Sequence, residues 1–173
     1  MSQSSYDIKL KSISIPINYQ RFLVKFYTKK NGSLSEIMET SIELLKEHRL
    51  KVTPQRLKIL KMLETEGHLT IDRLYEGMRQ EFPNVSLATI YKNINQMADS
   101  KLVLEVKIPG GKSVYEIIKA PHLHMVCDKC HKIEDIIVGT DSVIKAAEQA
   151  SGYIVQESFI TLRGICPDCQ KNL

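Results

Sequence analysis

The four cysteines of this chain fall in two pairs, Cys127-Asp128-Lys129-Cys130 and Cys166-Pro167-Asp168-Cys169. Two residues between thiols let both sulfurs of a tight turn reach one ion, and two such turns complete a tetrahedron. The spacing therefore points to a structural Zn2+ held by Cys127, Cys130, Cys166 and Cys169. The 35 residues between the pairs exceed a simple ribbon loop, so strands and a helix must return the chain to close the site. Disulfides are the competing account, disfavoured in a cytoplasmic chain. A redox dithiol is a third, but it would not need two pairs.

Just before the first pair stands His122-Leu123-His124. Alternate residues of a strand share a face, so both imidazoles point the same way. Two rings side by side suit a second divalent cation. Glu116, Asp135 and His68 are candidates for completing it, although nothing local marks them out from ordinary polar residues. Three His and two carboxylates form a nitrogen and oxygen set suited to Fe2+, Mn2+ or Zn2+. If His68 joins His122 and His124, the ion bridges two domains, and its binding acts as a switch rather than a catalyst.

Several elements must position these groups. Met38, Ile42 and Leu45 begin a run of helical periods that closes at His48-Arg49. Thr53-Pro54 reads as N-cap and first position of a second helix, stopped by Gly67. Thr70 caps a third, with Ile71, Leu74, Tyr75, Met78 and Phe82 inward and Pro83 at its end. Ser86 caps a fourth, Leu87 to about Ser100, with Leu87, Ile90, Ile94 and Met97 on its apolar face. Its other face carries Thr89, Tyr91, Lys92, Asn93, Asn95 and Gln96, polar and almost free of acid. Such a face suits a DNA groove, though taken alone it reads more readily as an ordinary solvated surface. The runs Leu102–Ile108 and Ser113–Ile118, joined by Pro109-Gly110-Gly111-Lys112, read as a hairpin with a basic tip. Short helices followed by such a hairpin give the order of a winged helix-turn-helix, whose last helix enters the major groove.

The expected fold class is α+β: a basic extension over 1–34, a winged-helix DNA-binding domain over 35–118, a hinge at 119–121, and a small α/β dimerisation and metal-binding domain over 122–173. In the last domain His122–Cys127, Glu134–Val138 and Tyr153–Ile165 read as strands. Thr140–Ser151 reads as a helix with Val143, Ile144 and Ala147 inward. About 50 residues of this kind are thin on core, so a metal staple is expected.

With 173 residues, 43% hydrophobic and 25% charged, the chain can bury a true core, which excludes fibrous and low-complexity classes. No stretch approaches the ~18 consecutive apolar residues of a membrane span. Met1–Asp7 lacks the apolar centre of a secretory signal, so a cytoplasmic location is expected. The net charge is +4, yet residues 1–34 hold Lys9, Lys11, Arg21, Lys25, Lys29 and Lys30 against Asp7 alone. This segment reads either as an arm contacting phosphates or as a loosely attached tail, and a start at Met38 is a third reading.

Together these residues resemble the ferric uptake regulator family of metal-sensing bacterial repressors, and within it the peroxide-responsive branch. The resemblance rests on Lys51-Val52-Thr53-Pro54-Gln55-Arg56, Phe82-Pro83-Asn84-Val85-Ser86-Leu87-Ala88-Thr89-Ile90-Tyr91, Gly110-Gly111-Lys112-Ser113-Val114-Tyr115-Glu116 and His122 through Cys127, continuing to the last Cys pair. It covers roughly residues 38 to 170. It implies a homodimer joined through the C-terminal domains on a palindromic AT-rich operator. It also implies structural Zn2+ at the cysteines and regulatory Fe2+ or Mn2+ at His68, Glu116, His122, His124 and Asp135. Tyr91 matches a base-contacting tyrosine, with Lys92 and Lys112 reaching phosphates and Thr89 and Asn93 beside them. Peroxide would act on bound Fe2+ and oxidise His68 or His122, opening the dimer.

The two carboxylates point to different branches. Glu116 stands where peroxide sensors typically carry Asp and iron sensors Glu, whereas Asp135 falls where peroxide sensors carry Asp and many iron sensors Glu. Asp135 is given the greater weight. The nearest rival is an iron-uptake regulator, followed by a zinc or manganese sensor. A zinc hydrolase or deaminase is the rival of another class. A deaminase would need a His-x-Glu pair that this sequence lacks, and four thiolates would close the zinc to substrate.

Overall fold

A computed structural model describes residues 34–119 and 122–171, so the basic extension up to residue 33 and two of the three hinge residues lie outside the described residues. The chain divides into two compact units, Met1–Ala120 and Pro121–Leu173.

The first unit contains α1 (Leu34–Glu47), α2 (Pro54–Glu66), α3 (Ile71–Arg79), α4 (Leu87–Asp99), β1 (Val103–Val106) and β2 (Val114–Ile117). Short polar side chains set the helix starts. The hydroxyls of Thr53, Thr70 and Ser86 accept hydrogen bonds from the backbone N–H groups of Arg56, Arg73 and Thr89. Pro54 fills the first position of α2, where no N–H is needed. Gly67, at φ +80°, ends it in a backbone conformation open to glycine.

Leu45, Ile59, Leu60, Leu74, Met78, Ile90, Ile94 and Met97 are fully buried and join the helices in one core, which β1 and β2 close through Val103 and Ile117. The two strands pair antiparallel, Val103 opposite Ile117 and Val106 opposite Val114. Gly110 turns the chain between them at φ +73°. The result is a winged helix-turn-helix.

Two expectations change here. The third helix ends at Arg79, not at Phe82, because the chain tightens into a turn in which Phe82 N–H reaches the Met78 carbonyl at 2.8 Å. Phe82 still packs on the core. Leu87 is exposed: as the first residue of α4 it precedes the stripe formed by Ile90, Ile94 and Met97.

The second unit comprises β3 (Leu123–Cys127), β4 (Ile133–Ile136), α5 (Asp141–Ser151), β5 (Ile160–Gly164) and α6 (Pro167–Gln170). Its sheet has the order β4-β3-β5, with β3 antiparallel to β4 and parallel to β5. Three expectations are corrected. The second strand ends at Ile136 rather than Val138. The long strand expected from Tyr153 begins only at Ile160, and Tyr153 and Ile154 stand 78% and 87% exposed. Helix α5 buries no residue, and Val143 and Ala147, expected inward, are exposed. An apolar stripe identifies a helix face but not what covers it.

Candidate metal centres and nucleic-acid interface

The cysteine site is built by two turns that the sheet brings together. Cys127 closes β3 and pairs with Gly164 at the end of the parallel β5. Asp128 N–H then reaches the Gly164 carbonyl at 2.8 Å, and the Arg163 guanidinium holds Asp128 at 2.7 Å from Nε. His131, at φ +59°, completes the first turn, while Pro167 starts α6 directly after Cys166.

All four sulfurs lie within 4.8 Å of one another, and Cys130 and Cys166 are 3.7 Å apart. Tetrahedral zinc with Zn–S of about 2.3 Å requires sulfurs about 3.8 Å apart. A disulfide would bring them to about 2.05 Å, so the set fits one zinc ion and no disulfide. The electrostatics agree. Backbone N–H groups of Cys130 and Cys166 hold the Cys127 thiol down at about 6. Hydrogen bonding to Cys166 and Cys130 pushes Cys169 up to about 12. One thiolate forms readily and the last resists, a resistance that a bound cation removes. Zinc uptake by metal-free protein should therefore release protons near pH 7 and weaken as pH falls towards 6, where Cys127 also begins to protonate. Proton release in weak buffer checks this.

Beside it, still in the second unit, His122 and His124 bring their Nε2 atoms within 3.0 Å of each other. Asp135 lies opposite His124 in the β3–β4 register, with Oδ1 3.5 Å from His122 Nε2 and 3.6 Å from His124 Nε2. His124 is buried on a strand that is otherwise apolar. Two imidazole nitrogens and a carboxylate oxygen converging at these distances would offer a divalent cation three donors, half of an octahedral set.

The first unit carries a second pair. Leu69 and Tyr115 exchange backbone hydrogen bonds at 3.1 and 2.8 Å, drawing the loop after α2 against β2. His68 Nε2 thereby comes 3.4 Å from Glu116 Oε2. Glu116 has 0% exposure, in a strand buried along its whole length. A carboxylate is costly to bury without a cation to compensate it. Lys119 Nζ, which sequence reasoning assigned only to the hinge, lies 2.7 Å from the same Oε2.

The exposed side of α4 presents Tyr91, Lys92, Asn95 and Gln96, with Thr89 half-buried near its start. Asn93 is corrected. It is buried, donates to the Thr89 carbonyl at 3.0 Å, and accepts from Arg56 Nε at 3.2 Å. Arg56, also buried, donates further to the Lys51 carbonyl at 2.9 Å and to Gln96. This polar tie fixes the pose of α4 on α2. Arg56→Ala should cost about 2–4 kcal/mol, because it leaves buried acceptors unmet. Urea unfolding of the zinc-loaded protein measures that loss. Lys112 at the wing tip is exposed and paired with Asp72, a surface pair that yields easily to another anion.

Compared with known proteins, residues 46–162 match the model of the ferric uptake regulator family. The chain belongs to that family. It is 33% identical over 136 residues to the peroxide operon regulator of Bacillus subtilis, covering 78% of this chain and 94% of the relative. Among solved structures it resembles the Campylobacter jejuni peroxide stress regulator, with TM-score 0.58 and 37% identity over 74% of this chain and 98% of that one. The Vibrio cholerae ferric uptake regulator gives TM-score 0.61 and 30% identity, covering 72% and 98%. Members of the ferric uptake regulator family regulate transcription rather than catalyse turnover, and this chain is a metal-dependent regulator of that kind.

Proposed function

We propose that this regulator is a peroxide-sensing repressor whose Fe2+ or Mn2+ site unites two half-sets: His68 and Glu116 from one unit, His122, His124 and Asp135 from the other. Each half-set offers too few donors for a firmly held octahedral ion, and five nitrogen and oxygen donors together suit these metals. The observation that carries the reading is the His122–His124–Asp135 convergence, since two imidazoles and a carboxylate at 3.0 to 3.6 Å are a metal's donor set. Similarity to two named peroxide regulators supports the sensing role.

On this reading, an ion shared by both units fixes the angle between them, and that angle decides whether two copies can engage DNA together. Iron held by these residues would supply one-electron chemistry towards H2O2, the net change being one oxygen atom added to a ligand ring, which gives up two electrons, and one water released. The rings of His68 and His122 are the groups that take up oxygen, and an oxidised ring is a poor ligand, so the half-sets part. Iron-responsive control without peroxide sensing is the second reading, favoured by glutamate at position 116.

Family regulators bind DNA as dimers, and here the partner is proposed to be a second copy of this chain on palindromic AT-rich duplex in the cytoplasm. Exposed Val143, Tyr153, Ile154 and Phe159 of the second unit supply apolar surface for that contact. Among the described residues no helix is long and apolar enough to cross a membrane. Tyr91 is assigned to base edges, Thr89 to the groove margin, and Lys92 and Lys112 to phosphates.

Fluorescence anisotropy of zinc-loaded protein on a palindromic AT-rich duplex tests the switch. Mn2+ should tighten binding by about tenfold or more. Equal binding with and without Mn2+ would refute metal control. The Lys92→Ala variant should weaken binding to all duplexes alike and lower its salt dependence.

A further inference from the structure

The least expected group near either half-set is Lys119. Its Nζ lies 2.7 Å from Glu116 Oε2, the same oxygen that His68 Nε2 approaches at 3.4 Å. The side chains of Glu116 and Lys119 are only 1% and 11% exposed. The contact exists because β2 ends at Ile117. In a continued strand, residues three apart would face opposite sides. Once the chain leaves the strand, Lys119 can fold back onto the carboxylate.

We propose that Lys119 is a built-in competitor of the regulatory metal, setting its affinity by neutralising Glu116 whenever the divalent ion is away. This rests on Glu116 belonging to the regulatory set, as proposed above. An ammonium has donors but no lone pair, so it cannot join a metal's donor set. Held beside the same oxygen, it also repels an incoming cation. Metal capture therefore requires Nζ to withdraw from Oε2, and the flexible four-carbon stem allows that motion. The metal and the lysine occupy one carboxylate in alternation. The buried charge is compensated in both states, and the cost of moving Lys119 weakens the binding of every divalent ion. The weakened affinity keeps the sensor responsive to metal level rather than permanently filled.

The test is Mn2+ binding to the full zinc-loaded chain by calorimetry, with wild type, Lys119→Met, Glu116→Gln and the double variant. K119M should bind Mn2+ about tenfold or more tighter than wild type, and the gain should vanish in the E116Q background. Unchanged or weaker binding by K119M overturns the proposal, the weaker result making Lys119 a positioning residue for Glu116. Zinc content and circular dichroism report folding. If K119M misfolds, Lys119→Gln, which keeps a polar end without the charge, carries the same expectation. If wild type and K119M both take up zinc but no Mn2+, the regulatory site itself is wrong. If wild type binds Mn2+ and K119M does so equally, only the role of Lys119 is wrong.

Discussion

Cys130→Ser will lose zinc and unfold the second unit while the first keeps its fold. The asymmetry follows from where apolar burial lies. The large core cluster is drawn from residues 44 to 117, whereas in the second unit Leu123, Val126 and Cys127 are the buried apolar residues among those described. So small a core cannot offset the conformational entropy of about 50 residues. Structural zinc is worth about 10–16 kcal/mol of apparent binding energy near neutral pH, and in such domains that energy is folding energy. Losing one of four thiolates removes most of it. The expected result is loss of the strand signal of the second unit and of dimerisation, with the helical first unit still melting cooperatively. Zinc analysis with circular dichroism and sedimentation checks it. A folded dimeric C130S with a full complement of zinc would refute the assignment.

His124→Ala is expected to separate the two metals. Its ring faces His122 and Asp135, not the thiols, so zinc and fold should survive. The variant leaves a cavity in a buried strand position and should cost about 1–3 kcal/mol of stability. Its main effect falls on the regulatory ion. Losing a nitrogen donor from a half-site of three should weaken Mn2+ binding by at least about 100-fold, since even outer partners of a metal site contribute 10- to 100-fold. DNA binding should then stay at its metal-free level at any Mn2+ concentration the protein tolerates. Normal activation by Mn2+ would remove His124 from the switch.

Much of the fold was legible because capping is local chemistry. Thr53-Pro54, Gly67, Thr70 and Ser86 mark their helix ends by residue type, and the structure uses each as written. The cysteine site was equally legible, since Cys-x-x-Cys turns leave thiols little else to do in pairs. The second unit was less so. Val143, Tyr153 and Ile154 are apolar in sequence, yet they stand exposed in the structure, because an apolar side chain does not by itself say what will cover it.

Asn93 shows a different failure. Its amide suggested a groove contact, but it lies three residues after Ile90 and four before Met97, on the buried stripe. Position outranks residue type there, and Arg56 makes its burial tolerable. Lys119 had no signal at all, because its contact with Glu116 depends on where β2 stops.

On the proposed reading, this regulator senses peroxide through iron at its histidines. The most direct measurement is DNA binding by zinc-loaded protein carrying Fe2+ or Mn2+, before and after H2O2, with peptide mass spectrometry across His68 and His122. Only the Fe2+ form should lose DNA, and one of those two peptides should gain a single oxygen. Binding that survives peroxide with both peptides unmodified, and that follows iron occupancy alone, would contradict that reading and leave an iron-responsive regulator in its place.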